Sequence, residues 1–170
     1  MISKNDLIIA FFPCTRFNAM IPLWFRGQAK QQKNWDDIKK LEYSMNLHVE
    51  LHELYELLCM LVIIVEKRGL QLIIENPYTQ PHYLTNYWCI MPSIIDKDRH
   101  ANGDFFKKPT QYWFINCEPQ NNLISDCVNT VPKKVIDSVK KGEHSVQTQR
   151  SMISSQYAER FIKQFIIKQV

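Results

Sequence analysis

Cys14 directly follows Pro13 at the end of the apolar run 7–12, Leu-Ile-Ile-Ala-Phe-Phe. A buried strand ending there fixes the backbone and leaves the next side chain facing a cleft, the placement that a thiolate nucleophile needs. Taken alone, a thiol in such a position is most often a small packed hydrophobe. A second group shifts the balance, because the apolar run 70–74 ends in Glu75-Asn76-Pro77. If the two runs are neighbouring parallel strands, Cys14 and Glu75 converge in the crevice beyond the strands' carboxyl ends, where open α/β sheets bind their ligands.

Other residues offer weaker signals. His48 and His52 lie four apart with Glu56 one turn further, a spacing that can grip a metal on a helix. The order is not His-Glu-x-x-His, and an ordinary helix face accounts for it, so no metal is expected. Trp24, Trp35, Trp88 and Trp113, with Phe105-Phe106, could stack on bases, but their scatter fits core packing better. Arg16, Arg26, Lys107 and Lys108 are the basic residues placed to meet phosphate, with simple solvation the competing account.

Two strands and one helix must position Cys14 and Glu75. Residues 7–12 and 70–74 are short continuous apolar runs, the pattern of strands covered on both faces. Between them Leu47, Leu51, Leu54, Leu58, Leu61 and Val65 recur at alternating spacings of four and three, and Gly69 supplies a stop. Asn34 is a cap candidate, with Asp36 and Asp37 favourable at the helix start. Strand, crossover helix and strand in this order predict a parallel unit of an α/β fold. Residues 15–34 show no periodicity and predict a long mobile loop. Stretches 88–95 and 112–117 are β-rich, separated by an excursion over 96–110. Residues 118–145 are polar and irregular. Within 146–170, Met152, Tyr157, Phe161, Phe165 and Ile166 predict a C-terminal helix over 151–170.

The bulk numbers bound the alternatives. With 170 residues and 45% hydrophobic content the chain can fill one core, so a single domain over 1–170 is expected, with 7–117 as its catalytic-strand part. A net charge of +4, from 21 basic and 17 acidic residues, permits phosphate contact without the footprint of a dedicated DNA binder. Five cysteines, an odd number with no CxxC pair and no secretory leader, point to reduced thiols in a cytoplasmic protein. The longest apolar run is about half of what a membrane span requires.

The sequence resembles the phage-type DNA cytosine-C5 methyltransferases. LIIAFFPCTRF is similar to their Pro-Cys strand motif and LIIENP to their Glu-Asn strand motif. IDKDRHANGDFFKKPTQYWFINCEP is similar to the region after those strands, and RSMISSQYAERFIKQF to the closing helix. The resemblance implies an incomplete Rossmann-like, methyltransferase-like sheet flanked by helices. It implies further that Cys14 attacks C6 of a flipped-out cytosine while Glu75 binds and protonates the ring, before a methyl reaches C5. The family's first strand, its Phe-x-Gly-x-Gly loop and the acidic ribose ligand have no counterpart in the six residues before the first run. The four glycines, Gly27, Gly69, Gly103 and Gly142, are too far apart to form such a loop.

Two functions are therefore expected to compete, ahead of a third, a DNA-binding accessory that modulates an intact methyltransferase. In the first, the chain is a phage or mobile-element protein that binds nucleic acid or a nucleic-acid-handling host protein without catalysis, as an inhibitor of CRISPR or restriction enzymes. It would then need no cofactor. In the second it is the catalytic half of a split cytosine-C5 methyltransferase, with S-adenosylmethionine held by a separate subunit or a homodimeric partner.

Overall fold

The computed structural model describes residues 2–18, 21–79, 81–124, 129–134, 148 and 151–168. Much of the polar stretch 118–145, with Cys127, Lys140, Lys141 and Gly142, lies outside the described residues. The chain gathers into two compact units, Met1–Ile94 with Gln111–Cys117, and Ile95–Thr110 with Glu118–Val170.

The architecture is mixed α/β. A four-stranded open sheet has the order β1-β2-β4-β3, formed by β1 (Leu7–Phe11), β2 (Gln71–Pro77), β3 (Ile94–Asp96) and β4 (Thr110–Ile115). β1 and β2 are parallel, with Leu7 opposite Gln71 and Phe11 opposite Glu75. β4 runs against β2: Gln111 bonds to the Pro77 carbonyl at one end and Asn116 to the Leu70 carbonyl at the other. The last strand in sequence thus inserts between β2 and β3. The β-rich stretch 88–95 yields a strand only from Ile94, because Trp88 instead buries its ring edge-on against Trp113, 5.3 Å away.

The crossover between β1 and β2 is the 32-residue helix α2 (Asp37–Arg68). Its cap is Asp36, not Asn34: the Asp36 carboxylate accepts from the Lys39 amide at 2.8 Å, satisfying one of the open N–H groups. Gly69 closes it at φ 59°, a left-handed conformation that costs glycine nothing. Leu51, Leu58, Val62 and Val65 of α2 pack with Ile8, Ala10, Phe12, Leu72, Ile74, Trp113 and Ile115. These strand residues alternate, so one sheet face meets the helix and the intervening residues point away from it.

Residues 15–34 are not the bare loop that their lack of periodicity suggested. They contain a short helix α1 (Ile21–Phe25) and a 3-10 turn (Lys30–Gln32). Aromatic contacts fasten them to α2, with Trp24 and Trp35 both against Tyr43, and Phe25 4.3 Å from the His48 ring. Buried Gln32 bonds to the Ala29 amide and the Trp24 carbonyl. A further short helix, α3 (Tyr83–Tyr87), follows β2.

In the second unit the excursion after β3 is tied to the C-terminal segment. Arg99 and Asp104, each 1% exposed, form an ion pair, and the Arg99 guanidinium lies 4.6 Å from the Tyr157 ring centre. Asp104 Oδ1 accepts from the Ser154 and Phe105 amides, and the Tyr157 hydroxyl donates to Asp96. Ser154 then caps α4 (Ser155–Phe161), accepting from the Tyr157 amide at 3.0 Å. The regular helix consequently begins at Ser155, later than expected, and passes into a π-helical turn over Ile162–Ile166.

Candidate functional site

The parallel register puts the two sequence motifs at the same end of the sheet. The strand pairing continues past Phe11, since the Phe12 amide donates to the Glu75 carbonyl at 3.3 Å. Cys14, two residues on, is half-buried, and the Phe17 amide donates to its carbonyl at 3.0 Å in a tight turn. Glu75 is buried at 6% exposure. By strand alternation it points to the sheet face opposite α2, the face shared by its partner Phe11, whereas Asn76 points to the α2 side.

Asn76 is the first member of a buried polar chain. Its Nδ2 donates to the Phe12 carbonyl at 2.9 Å, and its Oδ1 is 3.1 Å from His82 Nε2. Gln111 Nε2 lies 2.9 Å from the Pro77 carbonyl and 3.3 Å from His82 Nδ1, and Thr85 donates to Gln111 Oε1 at 3.1 Å. The directions follow from the two ends. The Pro77 and Phe12 carbonyls only accept, so an amide nitrogen must face each of them. Gln111 therefore donates to Nδ1, the imidazole hydrogen sits on Nε2, and Asn76 Oδ1 accepts it. Asn76, His82 and Gln111 are each no more than 1% exposed, and each is bonded on both sides. Burial pushes the His82 pKa down to about 4, so the ring is neutral at pH 7.

The chain of bonds holds the Pro-Cys strand end, the Glu-Asn-Pro strand end, α3 and β4 in one arrangement. What it fixes is the backbone on which Cys14 and Glu75 are mounted. The register thus carries the Cys14 and Glu75 backbones on neighbouring strand ends.

The basic residues singled out in the sequence are divided between the two units. Arg16, two residues after Cys14, is paired with Glu50 of α2 through Nε and Nη2, which ties the loop to the helix. Arg26 is exposed just after α1. Lys107 and Lys108 belong to the other unit, where Lys107 lies 3.7 Å from Asp98. His52 faces Glu56 at 4.0 Å on exposed helix surface, and among the described residues no group of three acidic, histidine or cysteine side chains is arranged to hold a metal. The glycines Gly27, Gly69 and Gly103 close a turn after α1, cap α2 and face Gln156, and none of them follows a strand.

His82, Thr85 and Gln111 were not anticipated. Gln111 carried a signal, a polar residue inside the apolar run Thr-Gln-Tyr-Trp-Phe-Ile, whereas His82 in a proline-flanked turn carried none. No helix among the described residues is long and apolar enough to cross a membrane. The sequence matches no protein-family model, and no curated protein or solved structure is significantly similar to it.

Proposed function

We propose that this chain receives an extrahelical cytosine at the C-terminal ends of β1 and β2, as the methyltransferase-like sheet it resembles would do. The supporting observation is the parallel register that brings Cys14 and Glu75 to one end of the sheet, clamped through Asn76. In this function the Cys14 thiolate adds to C6 of the ring while the Glu75 carboxyl gives its proton to N3, so no net negative charge builds on the base. The resulting enamine takes a proton from water at C5, and reversal releases the original C5 hydrogen. Base and thiol are both regenerated. None of these steps requires the methyl donor.

The second reading is binding without chemistry, as an antagonist of a host restriction or CRISPR nuclease. It rests on the sequence, where Gly27, Gly69, Gly103 and Gly142 lie too far apart to form the family's methyl-donor loop, so that full methyl transfer is not expected of this chain alone.

One experiment tests both. DNA carrying cytosine labelled with tritium at C5 is incubated with the protein and no donor, and label released to water is counted alongside DNA binding. Release that falls at least 100-fold in Cys14→Ala and at least 10-fold in Glu75→Gln supports base chemistry. Binding with no release supports the second reading, and neither binding nor release removes the extrahelical-cytosine proposal.

A further inference from the structure

Helix α2 has a second apolar face, directly opposite the one that packs on the sheet. Ile38, Leu41, Met45, Val49, Met60 and Ile63 are 43–70% exposed, flanked by Leu57 at 57% and Ile64 at 45%. Together these eight side chains form a run of exposed apolar surface along one side of the helix, unlike the singly scattered apolar residues usual on a surface, and such a run marks an interaction site.

The spacing on this face is regular. Positions 38, 41, 45, 49, 52, 56, 60 and 63 follow steps of three, four and four, an 11-residue repeat close to the natural period of an α-helix. The stripe therefore runs straight along a 32-residue helix, suited to another straight helix. The polar positions at its centre are His52 and Glu56, with side chains 77% and 66% exposed and 4.0 Å apart, and the next step of the repeat, Lys67, ends it.

We propose that the occupant is a second copy of this chain, with the two α2 helices packed antiparallel about a two-fold axis through the His52–Glu56 centre. The charge pattern selects this arrangement. Antiparallel pairing puts His52 of one copy against Glu56 of the other, twice, with Val49 near Met60 and Met45 near Ile63 on either side. A parallel pair would set Glu56 against Glu56 and align the helix dipoles unfavourably. Isologous contact also uses one self-complementary patch and closes at two copies. The pairing does not depend on the function proposed for the Cys14–Glu75 end of the sheet.

The test is the mass of the 170-residue chain in solution by light scattering or sedimentation at roughly 5–100 μM, well above the dissociation constants of standard-size interfaces. Twice 20.2 kDa is expected. Met45→Glu with Met60→Glu should shift the chain to monomer, weakening association at least 100-fold with helical circular dichroism unchanged. His52→Glu alone should weaken the dimer at least 10-fold, and adding Glu56→His should restore it. A monomeric parent chain at 100 μM, or a dimer indifferent to all of these changes, overturns the proposal. If the Met45/Met60 variant loses its helix, the charge swap decides: rescue supports the antiparallel pair, and failure of rescue rejects it.

Discussion

The Asn76 side chain donates to the main-chain carbonyl of Phe12 at 2.9 Å, so the residue after the candidate carboxylate holds the residue two before the candidate nucleophile. This contact spans 64 positions of sequence and joins the two strand ends independently of the sheet ladder. Removing it should be felt in stability as well as in the site. Asn76→Asp replaces the donor with an acceptor facing a carbonyl, and should cost about 1–3 kcal/mol, since it strands buried polar groups. Urea denaturation measures the loss. A cost within error of zero would show that the strand ends are held by the ladder alone.

His82 makes stability depend on pH. Its folded pKa, about 4, lies below the ordinary 6.5, so between those values the unfolded chain binds more protons than the folded one. The stabilisation is complete above pH 6.5, declines as pH falls, and levels off below 4. Protonation would also turn Nδ1, which accepts from Gln111, into a second donor facing a donor. The whole effect is on the order of 3 kcal/mol, and about 2 of it should be lost between pH 7.5 and 5. Urea midpoints at the two pH values, compared with His82→Gln, isolate it; parallel pH dependence in both proteins would refute the assignment.

Gln111→Glu should reverse the electrostatics of the same chain. A carboxylate beside Nδ1 favours imidazolium, so the His82 pKa should rise by at least one unit, as an adjacent opposite charge does. An NMR titration of the histidine resonances reads this directly.

In the second unit, Arg99→Ala leaves Asp104 buried beside no cation and should destabilise by about 3–5 kcal/mol. Arg99→Lys should recover only part of this, because an ammonium lacks the planar face that stacks on Tyr157. Thermal unfolding followed by far-ultraviolet circular dichroism would rank the three proteins, and equal midpoints would mean that the pair contributes nothing.

Within the main core, Leu58→Ala should cost about 2–5 kcal/mol, since Leu58 is fully buried between α2 and the sheet. Leu57→Ala, one residue along on exposed helix surface, should change the stability of the monomer by less than about 0.5 kcal/mol. Measuring both at low protein concentration separates core packing from association.

The sequence by itself determined the parts governed by local patterns. Two continuous apolar runs marked β1 and β2, the leucine stripe marked α2, Gly69 marked its end, and Pro-Cys and Glu-Asn-Pro marked the strand ends. Each signal comes from residues within a few positions of one another, where periodicity and backbone preference act. Tertiary structure alone decided the rest. The order β1-β2-β4-β3, the burial of His82 between Asn76 and Gln111, and the pairing of Arg16 with Glu50 all join residues far apart in the chain. No local propensity encodes such contacts, because a polar side chain gains a buried partner only after the fold has removed both from water. The α2 stripe shows the same division: its leucine spacing marked the face that packs on the sheet, whereas the apolar residues left exposed on the other side, Met45 and Met60 among them, emerged only from the tertiary structure.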